Sequence, residues 1–388
     1  MKDLLRAFRD FFVSLQLTVA LLILSLVLVF VATLDQVNLG IWAVQEKYFR
    51  SFFVMWRLPG PGIPLPVFPG GYLIGGLLLI NLLGAHIYRF QLAWRKTGIQ
   101  LAHSGLILLL IGELLTGLLQ RDNHMRLDQG ETKSYSESFR HNELAILDTT
   151  DPKLDEVVAI PEDLVAEKGA IQHPKLPFQV HIKEYYPNAI LQMRNPSGTS
   201  AISPATAGIG PRLALIPLPI TYKQDERNMP AAYVEIAGTE GTLGTWLVSP
   251  LLGAPQTLSY GGRTWELVLR FQRTYKPFAV TLLKFSHDKY PGTEIPRNFS
   301  SRVRVKSDDG KDDREVLIYM NNPLRYGGLT FYQAGFENND RTTILQVVRN
   351  PGWLIPYIAC VMMGLGLVIQ FGITLAGFIR KRTAAPAA

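Results

Sequence analysis

The sequence predicts an α+β membrane protein: four transmembrane helices, with a large antiparallel β-rich exported domain inserted between helices 3 and 4. Three observations predict it. First, Phe11–Leu34, Gly70–Tyr88, Thr97–Gln120 and Asn350–Ile379 contain no Asp, Glu, Lys or Arg apart from Glu113, and each comes near or exceeds the roughly 20 apolar residues that a bilayer-crossing helix needs. Second, the formal charge of +7 is not spread along the chain. The amino-terminal tail, the 89–96 turn and the tail after the last span together hold nine bases against two acids, leaving 30 charges of each sign elsewhere. Third, residues 121–349 are built of short alternating or β-branched runs between turn signals, the pattern of strands.

Four spans put the three basic segments on one side of the membrane. By the positive-inside rule that side is the cytoplasm, so both termini are cytoplasmic and 121–349 is periplasmic or otherwise outside the inner (plasma) membrane. The neutral balance of everything else excludes a nucleic-acid surface. The only cysteine, Cys360, lies inside the last span, so neither a disulfide nor a CxxCH haem-attachment site can form within this chain. The chain thus divides into 1–120, a three-span membrane region; 121–349, the exported domain; and 350–388, a closing helix with a basic tail.

Span 1 follows a basic start, and VATLDQ offers no small-x-small cleavage pattern, so it reads as an uncleaved anchor. The aromatic segment 38–58, with Trp42, Tyr48, Phe49, Phe52, Phe53 and Trp56 among Glu46, Lys47, Arg50 and Arg57, suits a helix lying in the outer interface. PGPGIPLPVFP then forms a stiff connection into span 2, where the small residues of GYLIG and Gly84-Ala85 invite close approach of another helix. In the exported segment, LPFQVHIKEYY, AAYVEIAG, GTWLVSP, QTLSYGGRTWELVLRF, FAVTLLKFSH, SSRVRVKS and REVLIYM read as strands, with hairpin turns at Gly261-Gly262 and Asp308-Asp309-Gly310. Residues 187–221, rich in Pro, Gly, Ser and Ala, read as a long loop. A sandwich or an open barrel would satisfy this pattern.

The chemistry concentrates in the hairpin 70–120. His86 closes span 2 in NLLGAHIYRF, and His103 opens span 3 in GIQLAHSGLI. Each sits about one turn inside its apolar segment, so an antiparallel hairpin brings both imidazoles to a similar depth. Ionisable groups within a span usually serve function, and imidazole is a common ligand of haem iron. Arg89, Arg95 and Lys96 in the turn could receive haem propionates through charge-assisted hydrogen bonds, besides setting topology. Glu113 lies about 15 Å further along span 3 and roughly 80° around from His103, too far to support that histidine. The exported histidines show no metal-ligand spacing, and no Ser-His-Asp set, phosphate loop or paired-carboxylate motif is present.

Several stretches resemble ResB-type cytochrome c biogenesis proteins: LAHSGLILLLIGELLTGLLQRDNHMRLDQGETKSY, SHDKYPGTEIPRNFSSRVRV, MNNPLRYGGLTFYQAGFE and LQVVRNPGWLIPYIACVMMGLGL. The layout of three spans, an exported domain and a closing span is similar too. The resemblance implies a subunit of the system II complex, which moves haem (haem b, bound or in transit) to the outer face and attaches it to apocytochrome c. It further implies a multi-span partner of ResC/CcsA type carrying a tryptophan-rich haem motif absent here, and a thiol-reducing partner of ResA type. Such a subunit would not be an enzyme alone. His103 matches the position at which the family's third span is thought to bind haem; His86 matches only some members. Two arrangements stay open: His86 and His103 clamping one haem, or His103 pairing with a partner's histidine while His86 plays a supporting part. The rival functions are a membrane b-type cytochrome carrying electrons and a haem-free scaffold for assembly factors.

Overall fold

A computed structural model describes residues 2–57, 64–88, 93–151, 154–194, 203–221, 226–292, 296–337 and 341–383. The helices are α1 (Lys2–Phe12), α2 (Leu15–Leu39), α3 (Ile41–Val44), α4 (Gly71–Tyr88), α5 (Thr97–Leu119), the five-residue α6 (Glu162–Ala166) and α7 (Ile355–Thr383). Among the described residues, four helical stretches are long and apolar enough to cross a membrane: α2, α4, α5 with the turn before it, and α7. The chain forms two compact units, one built on these helices and one on strands.

In the helical unit, α1 ends at a real break. Ser14 has extended backbone angles and its hydroxyl accepts from Leu17 N, which caps a new helix rather than continuing the old one. Asn81 of α4 is buried and holds this break. Its amide donates to Phe12 O (2.8 Å) and Ser14 O (3.0 Å), and its carbonyl accepts from the Thr18 hydroxyl at 2.6 Å. The second helix pair is joined differently. Gly98, Gly105 and Gly112 recur every seven residues along one face of α5, and a Cβ on Gly105 would lie 2.8 Å from Ala359 O of α7. Gly366 returns the contact from α7, where a Cβ would lie 2.6 Å from Ala102 N. Bare backbone on both sides lets the axes approach closely. The small residues of α4 are used in part: a Cβ on Gly71 of GYLIG would lie 2.5 Å from Phe49 O and one on Gly84 3.2 Å from Val13, whereas one on Gly75 or Gly76 would meet nothing within 4 Å.

The aromatic segment departs from the interfacial helix expected over 38–58. After α3 and one π-turn (Gln45–Phe49), the chain extends into β1 (Phe53–Arg57), paired with β2 (Pro64–Pro69). Half of the supposed proline-rich connection is therefore a strand, while 58–63 lie outside the described residues. A two-stranded ribbon tolerates Pro64, Pro66 and Pro69 because one edge of β2 needs no donors. Tyr48, Val44 and Val54 pack against Leu21, Leu28 and Ile74, tying the ribbon to α2 and α4.

The strand unit contains β3 (Arg121–Asp128), β4 (Thr132–Asp148), β5 (Glu156–Pro161), β6 (Gly169–Ile171), β7 (Gln179–Tyr186), β8 (Ala189–Met193), β9 (Leu213–Pro217), β10 (Ala231–Gly238), β11 (Gly241–Val248) and β12 (Gln256–Tyr260). It continues with β13 (Arg263–Lys289), β14 (Pro296–Ser307), β15 (Asp313–Tyr319), β16 (Leu324–Tyr326), β17 (Leu329–Glu337) and β18 (Thr342–Arg349). The large sheet runs β15-β14-β13-β4-β3-β18-β17-β16, with β12 and β5 beside β13 and β4; a smaller sheet runs β11-β10-β7-β6. What read as two strands, WELVLRF and FAVTLLKFSH, is one strand of 27 residues, β13, whose pairing with β4 slips between Phe271 and Arg273 and again between Tyr275 and Val280. Bulges let so long a strand bend and serve two cores. On one side of them, Leu267 and Leu269 face Val180, Val234 and Trp246 of the small sheet. On the other, Val280 and Leu282 pack with Val303, Val305, Phe331 and Val347. The result is a sandwich at one end of the large sheet and a curled half-barrel at the other.

Between the two cores lies a polar belt. Arg270 and Glu143 form a buried pair at 2.9 Å. Lys276, also buried, donates to Ser136 Oγ (2.5 Å) and Thr274 O (2.9 Å), and desolvation pulls its ammonium down to about 8. Arg227 sits 3.7 Å from the centre of the Phe271 ring and donates to Ser138 O. The presumed loop 187–221 is partly ordered by the β8–β9 hairpin, with Ala189 and Leu213 buried; 195–202 lie outside the described residues.

Candidate functional site

Helices α4 and α5 place the two candidate histidines at matching levels. His86 Nε2 lies 3.4 Å from Ser104 Oγ, so His86 stands level with the residue next to His103. Helical geometry then fixes where His103 looks. It is two residues before Gly105, about 200° around the axis, so it projects from the face opposite the glycine contact with α7. Its side chain is exposed on the helical unit, whereas His86 is half-buried. Ile99 and Leu106, four before and three after His103, are exposed on the same face. In a membrane-length helix, this face is open to lipid or to another polypeptide.

Of the basic residues in the turn, Arg95 and Lys96 belong to a single 3₁₀ turn (Trp94–Lys96) leading into α5, and both are exposed. They lie roughly 10–12 Å along the helix from His103. Arg89 lies outside the described residues. Glu113 is exposed, further along α5. Sequence reasoning missed two side chains, Ser104 as the neighbour of His86 and Asn81 as the residue that ties the start of α2 to α4. The signal for Asn81, a lone amide inside an apolar span, was present in the sequence.

Four membrane-length helices carrying an antiparallel β unit with long shared strands define the class of protein. Residues 261–344, which run from the β12–β13 turn into β18, match the ResB-like family. The chain is 34% identical over 92 residues to Protein NrfI of Wolinella succinogenes, covering 24% of this chain and 10% of that protein. It is 40% identical over 62 residues to the cytochrome c biogenesis protein CcsB of Synechococcus elongatus, covering 16% of this chain and 13% of that one. The matched stretches thus span only about a tenth of these relatives. Over residues 261–344, about a fifth of its length, the chain is similar to the ResB-like family.

The family match takes in all of β13 and the half-barrel end, and does not reach the histidine hairpin. There, NNPLRYGGLTFYQAGF forms β16, a tight turn and β17. Gly327 and Gly328 both have positive φ, and a Cβ on Gly327 would lie 2.9 Å from the Phe278 ring. Leu324 and Phe331 are buried in the core beneath. The motif is therefore a packing unit, as its turn formers and alternation lead one to expect.

Proposed function

We propose that this chain is the membrane subunit of a cytochrome c maturation complex, taking haem as cargo and holding it for a multi-span partner of ResC/CcsA type that attaches it to apocytochrome c. The match of residues 261–344 to the ResB-like family supports the biogenesis role, and the name of the CcsB relative points the same way. The observation that carries the finer reading is the outward projection of His103 at the level of His86. An exposed imidazole inside a span is costly against lipid and is well used as one of two axial ligands, the other coming from a partner's helix. His86, turned toward Ser104, then supports the hairpin or substitutes as a ligand. Arg95 and Lys96 provide positive charge for the propionates at the membrane surface. The charge distribution supports cytoplasmic termini, with 121–349 on the outer side of the inner membrane. The β unit would brace the partner and present the apocytochrome, with a ResA-type reductant keeping the substrate thiols reduced.

The test is an absorption spectrum with haem quantitation on the detergent-purified chain, with and without the co-expressed partner, comparing wild type with His86→Ala and His103→Ala. Haem gained only with the partner and lost in His103→Ala supports the shared site. Bis-imidazole bands in the lone chain, lost in both variants, would replace it with a clamp inside this hairpin. No haem in any preparation, with normal cytochrome c maturation by both variants, would leave a scaffold.

A further inference from the structure

Helix α1 is not part of a span, and nothing in the haem reading uses it. With 3.6 residues per turn, Leu4, Leu5, Phe8, Phe11 and Phe12 fall within an arc of about 120°, while Lys2, Asp3, Arg6, Arg9 and Asp10 fall within an opposite arc of about 120°. No residue of either kind strays into the other sector. The apolar arc is not covered by the rest of the chain: Leu4 is 76% exposed, Phe8 63% and Phe11 58%. Phe8 and Phe11 each sit against the ring of Phe12, at 4.6 and 5.3 Å between centroids, so the arc is a continuous aromatic surface.

Two further observations say what covers that surface. The break at Ser14 separates α1 from α2, so α1 need not follow the spanning axis. Asn81 then fixes the height of the break. It is seven residues from the end of α4 at Tyr88, and it holds Phe12 O and Ser14 O. At 1.5 Å per residue, the carboxyl end of α1 therefore lies roughly 10 Å inside the end of α4. Because α4 has 18 residues, only just a spanning length, its end marks the boundary between acyl chains and headgroups. The carboxyl end of α1 lies on the acyl side of it, at the roughly 10 Å depth to which the apolar face of an interfacial helix reaches. Arg9 meanwhile reaches the Tyr88 ring, 5.5 Å from its centre, at the very end of α4. The apolar arc thus begins at acyl depth while a charged residue of the opposite arc reaches the surface.

We propose that α1 lies in the plane of the bilayer surface, with its Phe and Leu arc inserted at the acyl boundary of the leaflet that receives the end of α4. The occupant of the apolar face is lipid. The charged arc holds three bases against two acids, so the apolar face, rather than headgroup charge, supplies the attraction. Asn81 acts as the clasp that sets the depth. This assignment is independent of the haem reading and survives its failure.

The test uses the full-length protein in a Cys360→Ser background, reconstituted in phosphatidylethanolamine/phosphatidylglycerol vesicles, with one spin label each at Leu4→Cys, Phe8→Cys, Asp3→Cys and Arg6→Cys. The expected result is an oxygen-to-nickel-chelate accessibility ratio several-fold higher at positions 4 and 8 than at 3 and 6. Equal, nickel-accessible labels at all four positions would put the helix in water and overturn the proposal. Labels at 4 and 8 shielded from both reagents would mean that protein covers the face, and would overturn it too. The contrast should persist in neutral phosphatidylcholine vesicles. Its loss there would overturn the attribution to the apolar face.

Discussion

The two helix pairs of the helical unit are joined by different means. α5 and α7 meet through missing side chains, a seven-residue glycine repeat answered by Gly366, with Asn350 beyond the strand unit donating to Thr116 and Gln120 near the end of α5. α2 and α4 pack through Leu21, Leu28, Ile74 and Leu77 and are pinned at one end by a polar side chain, Asn81, which satisfies two backbone acceptors and one hydroxyl. Between the pairs, α4 and α5 touch far less than α5 and α7 do, and one contact there is His86 with Ser104. The difference teaches where the hairpin can adapt. Backbone-to-backbone packing is rigid and intolerant, a hydrogen-bonded clasp is directional, and the seam between them, which carries the histidines, is the least constrained part of the unit.

The largest effect should come from breaking the glycine pair. Gly105→Leu forces a side chain into the Ala359 and Met363 backbone of α7 and should cost about 3 kcal/mol or more, read as a large drop in thermal midpoint or in folded yield in detergent. Gly117→Leu, on the same helix but with nothing within 4 Å of its Cβ, should change the midpoint little. Equal effects from the two would refute close packing as the join.

The strand unit repeats the contrast. Buried Arg270 has the carboxylate of Glu143, whereas buried Lys276 is bonded to neutral acceptors. Its ammonium is held at about 8, below the ordinary lysine value, so the unfolded chain binds more protons than the folded one above that pH. Stability should therefore rise as pH increases from about 8 toward 10.5, by an amount on the order of 2–3 kcal/mol. Lys276→Met should flatten that rise and be the more stable protein at pH 7. Equilibrium unfolding followed by near-ultraviolet circular dichroism reads both, and an unchanged slope in the variant would remove Lys276 as its source.

Asn81→Leu should cost about 1–2 kcal/mol, because it leaves Phe12 O and Ser14 O without their shared donor inside a span. In the spin-label experiment it should also shrink the contrast along α1. The smallest effect belongs to Ser104→Ala, which removes one long hydrogen bond and should change stability by under about 1 kcal/mol, within the range of single interhelical bonds. A larger loss would make the α4–α5 seam a third structural join rather than a site.

Much of the fold is legible in the sequence because its signals are local. Runs without charge mark the spans, and alternation marks β7, β10, β11, β14 and β15. Gly261-Gly262, with both φ values positive, is the tight turn expected between two strands. What was not legible depends on distant partners. β1 and β2 carry aromatic and proline residues that suit an interfacial helix and a stiff linker equally well until the two segments pair. The β13 bulges depend on β4, more than 100 residues away in the chain. The choice of Gly98, Gly105 and Gly112 over Gly75 and Gly76 as contact glycines depends on where α7 sits. The same limit applied to the site: spacing put His86 and His103 at one depth, but only the α7 contact reveals that His103 looks outward while His86 looks toward Ser104.

In the proposed complex, the outward face of α5, with His103 at its middle, is shared with a haem-handling partner. The most direct test is photocrosslinking in native membranes with the ResC/CcsA-type partner co-expressed, placing the photoreactive residue at Ile99 and Leu106, which flank His103 on its face, and at Leu108, which does not. Crosslinks to the partner from positions 99 and 106 but not from 108 are predicted. Crosslinks from 99 and 106 only to lipid or to the chain's own helices, with the partner present and cytochrome c maturation intact, would contradict it.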